Sequence, residues 1–219
     1  MVTFADIKND HSICTYIESA DRTLGALGFT EHSLGHTTKC AHETHELLLA
    51  LGYSEREAEL GQIAAFLHDI GNVVNRKGHA HSGAIIAMAQ LERLGMAPDE
   101  IGVIVSAVGH HDEETAFPVS AVAAAVILAD KSDVRRSRVR NQDLDTFDIH
   151  DRVNYAATCS SLNISPKDHT ITLDITIDTQ IASVMEYFEI FIGRMQLCRC
   201  AANFFEYQFK LVINGTSLI

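Results

Sequence analysis

No apolar run in the 219-residue sequence reaches the roughly 18 residues that a membrane-spanning helix needs; the longest, Val119 to Ala129, suits a buried helix. The first residues, MVTFADIKNDHS, lack the basic region and apolar stretch of a secretory signal, so a cytoplasmic location is expected. The five cysteines (Cys14, Cys40, Cys159, Cys198 and Cys200) are odd in number and follow no disulfide framework. Cys198 and Cys200 have no second pair to complete a zinc knuckle, so all five read as reduced and mostly buried thiols. Positive charge is also scarce. Seventeen Lys and Arg stand against 29 Asp and Glu, a net charge of −12, which argues against broad binding to nucleic acid polymers or anionic membranes. Internal repeats and low-complexity tracts are missing too.

What is present is a chain that is 47% apolar, enough for one large domain or one domain with a small appendage. Residues 1–155 read as helical, with Gly and Pro sparse inside the periodic segments. Helices are expected within Phe4–Leu27, over Thr37–Leu51 ending at Gly52, and from Ser54, with Glu57 completing a capping box, to His68 and Asp69. Others run from about His81 to Leu94, from Pro98, and from Pro118 to Asp130. From residue 156 to 219 the pattern changes. TITLDITI (Thr170–Ile177) alternates with period two, and Ser160–Ser165 offers it a hairpin partner. Asp178–Ala202 reads as an amphipathic helix with Ile181, Val184, Met185, Phe188, Ile192 and Met195 inward, and Lys210–Ile213 as a last strand. The expected fold is mainly α: a helical domain, 1–155, and a small α+β extension, 156–219, whose three strands form an antiparallel sheet packed by one helix.

Twelve histidines are present, and seven lie between His32 and His81. His68-Asp69 closes a strongly apolar helix, where a carboxylate meets the negative end of the helix dipole. Burial there costs free energy unless a cation compensates. Asp130 repeats the situation after VSAVAAAVILA. Two acids, each badly placed alone, make sense around a shared metal ion. His110 and His111 follow an apolar stripe, His79 precedes a helix and His36 opens one, so imidazoles from several helix ends can converge on that ion.

The segments GHTTKCAHETHELLLALG, AAFLHDIGN, HAHSGA, AVGHHDE and AVILADKSD carry these residues, over about residues 30 to 140. Their order resembles that of the HD superfamily of metal-dependent phosphohydrolases. The resemblance implies an all-α core with one or two divalent transition metals (Fe, Mn, Ni, Co or Zn) at its centre. The implied ligands are His36, His68, Asp69, His79, His110, His111 and Asp130, with Asp69 bridging if two ions bind. His36 is favoured over His32 by its distance to Gly52, and His79 over His81 by its spacing to Gly83. Asn72 stands where some subfamilies carry a Lys. The GYP-type segment of cyclic dinucleotide phosphodiesterases and the HDxxED pattern of alarmone hydrolases are missing.

The expected activity is therefore hydrolysis of a phosphate ester or anhydride of a nucleotide or small metabolite, resting on His68 and Asp69. Two alternatives stay open: a regulatory or interaction module with a structural or sensory metal, and a di-iron oxidative enzyme on the same scaffold. The expected partner is a small phosphorylated substrate, with a homo-oligomer compatible with the extra sheet. Lys131, Arg135, Arg136, Arg138 and Arg140 crowd together after Asp130. Either they form a solvated face paired with Asp133, Asp143 and Asp145, or Lys131 and Arg135 reach the metal pocket to bind substrate phosphates.

Overall fold

The computed structural model describes residues 1–141 and 143–219. Helices α1 (Phe4–Lys8) and α2 (His11–Ala26) lead into α3 (Leu34–Ala50), α4 (Glu55–Leu67), α5 (His79–Arg93), α6 (Pro98–Gly109) and α7 (Ala121–Ser132). After α8 (Ile149–Ala156) come β1 (Ala157–Ser165), β2 (Thr170–Ile177), α9 (Val184–Phe204), β3 (Gln208–Ile213) and β4 (Thr216–Ser217). The change from helix to strand thus falls at residues 156 and 157. No helix among the described residues is long and apolar enough to cross a membrane.

The chain's own punctuation explains these boundaries. Gly52 adopts φ +86°, the left-handed conformation that ends α3 without a Cβ penalty. Ser54 accepts from the Glu57 amide while Glu57 reaches back to the Ser54 amide, satisfying two orphan donors at the start of α4. The link is short, so α3 and α4 pack together, and Gly61 lets them approach: a Cβ there would lie 2.5 Å from Leu48 Cδ1.

Helix α7 is the axis of the core. All residues from Val122 to Ser132 are buried, because α3, α4 and α6 pack on it and α9 covers it as well. A helix apolar on every face can exist only when enclosed in this way. One continuous apolar cluster runs from Ile7 through α4 and α7 to Ile213, so the C-terminal strands share the core of the helices.

The fold class is as expected, a helical core with a small sheet-and-helix extension, but the sheet differs from the expected three antiparallel strands. It has four strands in the order β1-β2-β3-β4. β1 pairs antiparallel with β2 and β3 with β4, whereas β2 and β3 are parallel, with Thr170 opposite Gln208 and Ile175 opposite Ile213. The physical reason is α9. A helical crossover returns the chain to the same end of the sheet, which is what a parallel neighbour requires. α9 also begins later than expected, at Val184, where Ser183 and Glu186 form a capping box. Its buried row is Tyr187, Phe191, Met195, Cys198 and Ala202, spaced three or four apart, while Met185 and Ile192 face outward, 67% and 49% exposed. On β2 and β3 the inward residues alternate as period two demands: Ile171, Leu173, Ile175 and Ile177 beside Phe209, Leu211 and Ile213.

Candidate metal centre

Five helix ends deliver the histidines and acids to one place. His68 caps α4 and Asp69 follows it, before a 3-10 turn over Ile70–Val73. That turn lies against the first turn of α5. A Cβ on Gly71 would stand 2.0 Å from the His79 carbonyl oxygen and 2.4 Å from the Gly83 nitrogen, so only glycine lets His79 come this close to Asp69. His36 lies in the first turn of α3, His111 just past the end of α6, and Asp130 in the last turn of α7. All five of these partners of Asp69 and Asp69 itself are 9% exposed or less.

The donors form two groups that share Asp69. In the first, His36 Nε2 lies 3.3 Å from His68 Nε2, 3.4 Å from Asp130 Oδ1 and 3.7 Å from Asp69 Oδ2, and His68 Nε2 lies 3.0 Å from Asp69 Oδ2. In the second, His79 Nε2 lies 3.1 Å from His111 Nε2 and 3.4 Å from the other oxygen of Asp69, Oδ1, which is 3.9 Å from His111 Nε2.

Hydrogen bonding on the far side of each ring shows that these groups fit a cation. His68, His79 and His111 each direct Nδ1 at a backbone carbonyl, of Ala65, Arg76 and Val108, at 2.6, 3.0 and 2.7 Å. His36 Nδ1 is 2.7 Å from Asp133 Oδ2. Carbonyls and carboxylates only accept, so each Nδ1 carries the proton and donates it. Every Nε2 is thus the ring nitrogen turned to the centre. Two pairs of these nitrogens, 3.3 and 3.1 Å apart, face each other and the carboxylates. In neutral rings they are converging lone pairs that a cation relieves, a proton on His68 in the metal-free chain or a divalent transition metal, for which imidazole with carboxylate is a donor set.

The charges agree. Burial works against ionising Asp69 and Asp130, yet His68 beside both, and Lys131 beside Asp130, hold their carboxyls well below the usual range. Burial likewise opposes charge on His68, but Asp69 and Asp130 outweigh it and push its pKa up to about 10. Burial, helped by the charges of His68 and Lys131, drives the pKa of His111 well down and keeps it in the neutral form that binds metal. Around Asp133 the sign is fixed by contacts. Despite burial, the hydrogen bond from His36 and the nearby guanidiniums hold its carboxyl far below the ordinary value.

His110 is placed differently from its neighbour. It is half-buried, its Nδ1 is 2.8 Å from the Ser106 carbonyl, and among the described residues no hydrogen bond or ion pair joins it to the other histidines or to Asp69. Successive residues at a helix end point about 100° apart, so His110 and His111 cannot share one direction. His32, outside α3, packs its ring edge-on to His36 with centroids 5.5 Å apart and lines the cavity, whereas His81 is exposed.

The basic residues also divide. Lys131 is buried, with Nζ 2.7 Å from Asp130 Oδ2, and lines the cavity containing Asp69, His79, His111 and Asp130. Arg138, buried too, lines the same cavity and donates to the Glu31 and Asp133 carbonyls. Arg135 is placed behind the centre instead of at its mouth. Its Nε donates to Asp133 Oδ1 at 2.8 Å, so it grips the carboxylate that orients His36. Arg136 donates to the Tyr155 carbonyl and stacks on that ring, and Arg140 pairs with Asp21.

Three contributors escaped sequence reasoning. Asp133 follows Asp130 by three residues, one helical turn, and that spacing was the available signal. Arg76 places Nη1 3.3 Å from His79 Nε2, and Arg194 comes from α9; both line the cavity, and neither has a local sequence signal. Asn72, noted as a departure, donates from Nδ2 to Asp69 Oδ1 at 2.8 Å and fixes the shared carboxylate.

The HD domain family profile matches residues 31–151, more than half of the chain and all of the donor residues just described. The chain belongs to the HD domain family. No curated protein matches it. As an HD domain it falls in a superfamily of metal-dependent hydrolases, and its histidine and aspartate groups provide for a divalent metal. The strands β1 to β4 and α9 follow the matched residues, so Arg194 reaches the cavity from outside the HD region.

Proposed function

We propose that this HD domain protein is a metal-dependent phosphohydrolase that cleaves a phosphate ester or anhydride of a nucleotide or small metabolite. When bound, a divalent metal supplies a water of lowered pKa and a Lewis acid for phosphoryl oxygens. The chain's part is to hold the ion and bring the phosphate to it. His36, His68, Asp130 and Asp69 would hold one ion, and His79 and His111 with the other oxygen of Asp69 would serve a second. Asn72 restrains the Asp69 carboxylate.

The observation that carries the reading is the cation content of the cavity. Arg76, Lys131, Arg138 and Arg194 line it together with Asp69, His79, His111 and Asp130, in a chain whose net charge is −12. A solvated face does not explain Lys131 and Arg138, which are 5% and 3% exposed. Cations gathered beside a metal-type donor set suit an anionic group with several oxygens, and a guanidinium fork grips two of them at once.

The test loads the purified chain in turn with manganese, iron, nickel, cobalt and zinc. Each form is assayed for phosphate or nucleotide release from phosphomonoesters, phosphodiesters and nucleoside polyphosphates. Turnover is expected with at least one metal and is expected to vanish in Asp69→Ala. A chain that holds its metal and turns over none of these compounds would overturn the reading.

A further inference from the structure

Lys131 and Arg194 are held by one carboxylate. Glu113 Oε1 accepts from Arg194 Nε at 2.7 Å and lies 3.9 Å from Lys131 Nζ. The same Lys131 ammonium is 2.7 Å from Asp130 Oδ2. A single oxygen anion therefore joins a cation of the HD region to a cation of the C-terminal extension, at the wall of the metal cavity. The Arg194 guanidinium is fixed from its other side by the Phe191 ring, 4.5 Å away. Arg194 also stands where three cavities meet. It lines the metal cavity, a neighbouring one of about 260 Å³ with His32 and Asn154, and an outer one of about 610 Å³ with Asn75 and Glu114.

Glu113 differs from its two partners. Lys131 is buried and Arg194 is anchored in the middle of a long helix, whereas Glu113 is exposed and lies on the segment between α6 and α7. Among the described residues, Arg194 and Lys131 are the only side-chain partners of its carboxylate. An exposed carboxylate on a connecting segment is exchangeable, since such ion pairs contribute little. The two cations it covers are not.

We infer that Lys131 and Arg194 form a binding subsite for a phosphoryl dianion, and that Glu113 is its resident anion, displaced when a substrate phosphate enters. The inference rests on the phosphohydrolase reading for the identity of the anion and goes beyond it in assigning the subsite, its occupant and the role of α9. A dianion carries more charge than the glutamate and offers three terminal oxygens. It therefore meets both cations at once where Glu113 reaches only one at hydrogen-bonding distance.

The experiment titrates inorganic phosphate into the full-length, manganese-loaded chain by calorimetry, with manganese content and helicity checked for each variant. Arg194→Ala is expected to weaken phosphate binding about tenfold or more, the loss of a charge-assisted hydrogen bond. Glu113→Gln is expected to tighten it about two- to fivefold, because a competitor of surface-ion-pair strength is removed. Arg194→Lys, which keeps the charge and loses the fork, covers the case in which Arg194→Ala fails to fold, and is expected to fall between wild type and the alanine variant. Wild-type affinity in the folded Arg194 variants, or unchanged or weaker affinity in Glu113→Gln, overturns the subsite. Binding is read without turnover, so the two readings fail separately. The paired shifts in a chain that hydrolyses nothing keep the subsite and remove the hydrolase, and turnover with unshifted phosphate affinity does the reverse.

Discussion

Asp133→Asn removes one charge from the back of the metal centre and keeps the side chain's shape. The carboxylate is fully buried and takes four partners: His36 Nδ1 at 2.7 Å, Arg135 Nε at 2.8 Å, Lys39 Nζ at 3.5 Å and Arg138 Nη1 at 3.7 Å. Asparagine has one acceptor and one donor in place of two acceptors, so its amide must face either His36 or Arg135 donor to donor. Arg135 is partly exposed and can turn to water, so the oxygen stays with His36 and the amide with Arg135. His36 then keeps a neutral hydrogen bond and loses its charged partner. Loss of such an outer partner costs about ten- to a hundredfold in metal affinity, about 1.4 to 2.7 kcal/mol. Stability falls as well, because Arg138 is left buried without its counter-charge, and breaking a buried pair costs about 3–5 kcal/mol. The sign with pH follows from the depressed carboxyl of Asp133. Its contribution is complete above the unfolded value of about 3.9 and is lost as pH falls toward the folded value, so the stability gap between the two proteins narrows in acid. Metal affinity is measured by competition with a chromophoric chelator, and stability by thermal unfolding between pH 3 and 8. An Asp133→Asn protein that binds metal as tightly as wild type would refute the role given to this carboxylate.

Metal uptake should release protons, because a proton on His68, whose pKa is pushed up to about 10, must leave before Nε2 can donate. Apparent affinity is expected to rise with pH by about tenfold per unit below that value, and an unbuffered titration showing no acid release contradicts this. Asp69→Ala takes an oxygen from both donor groups, so elemental analysis should find the metal lost, whereas Asp130→Ala strips only the His36–His68 group; full metal content in Asp69→Ala would disprove the bridge. Gly71→Ala forces a Cβ into the His79 carbonyl and the Gly83 nitrogen, both backbone atoms that cannot rotate away. A loss of about 3 kcal/mol or more, with metal affinity reduced, is expected by chemical denaturation, and a wild-type midpoint would show that the turn and α5 can separate.

Local signals made much of this molecule legible. Ser54 with Glu57, the turn at Gly52 and the period-two alternation of Thr170–Ile177 each act within a few residues, and each appears where the chain places it. The helix-end positions of His68, Asp69 and Asp130 also announce themselves, because a buried carboxylate at a helix C-terminus needs a cation. What escaped depends on distance. Arg76 and Arg194 are 118 residues apart and meet only because α9 folds back over α7. The direction of β3 was implicit in the length of the helix before it, since a helical crossover favours a parallel partner. Arg135 could reach the pocket only if the helix continued past Asp130 for more than a turn. α7 stops at Ser132, and the chain then turns so that Arg135 meets Asp133.

The parallel pairing of β2 with β3 makes α9 a strut pinned at both ends to adjacent strands of one sheet. Arg194 is its central residue, ten from Val184 and ten from Phe204. Neither end can slide without breaking strand hydrogen bonds, so the sheet works as a gauge that sets how far the guanidinium projects along the helix axis. Each residue inserted or removed within α9 between Val184 and Arg194 advances or retracts it by about 1.5 Å and turns it by about 100°. Two residues would carry it to the opposite side of α9. Insertions and deletions are therefore expected to be tolerated on the edge strand β1 far better than in the nine residues between Val184 and Arg194.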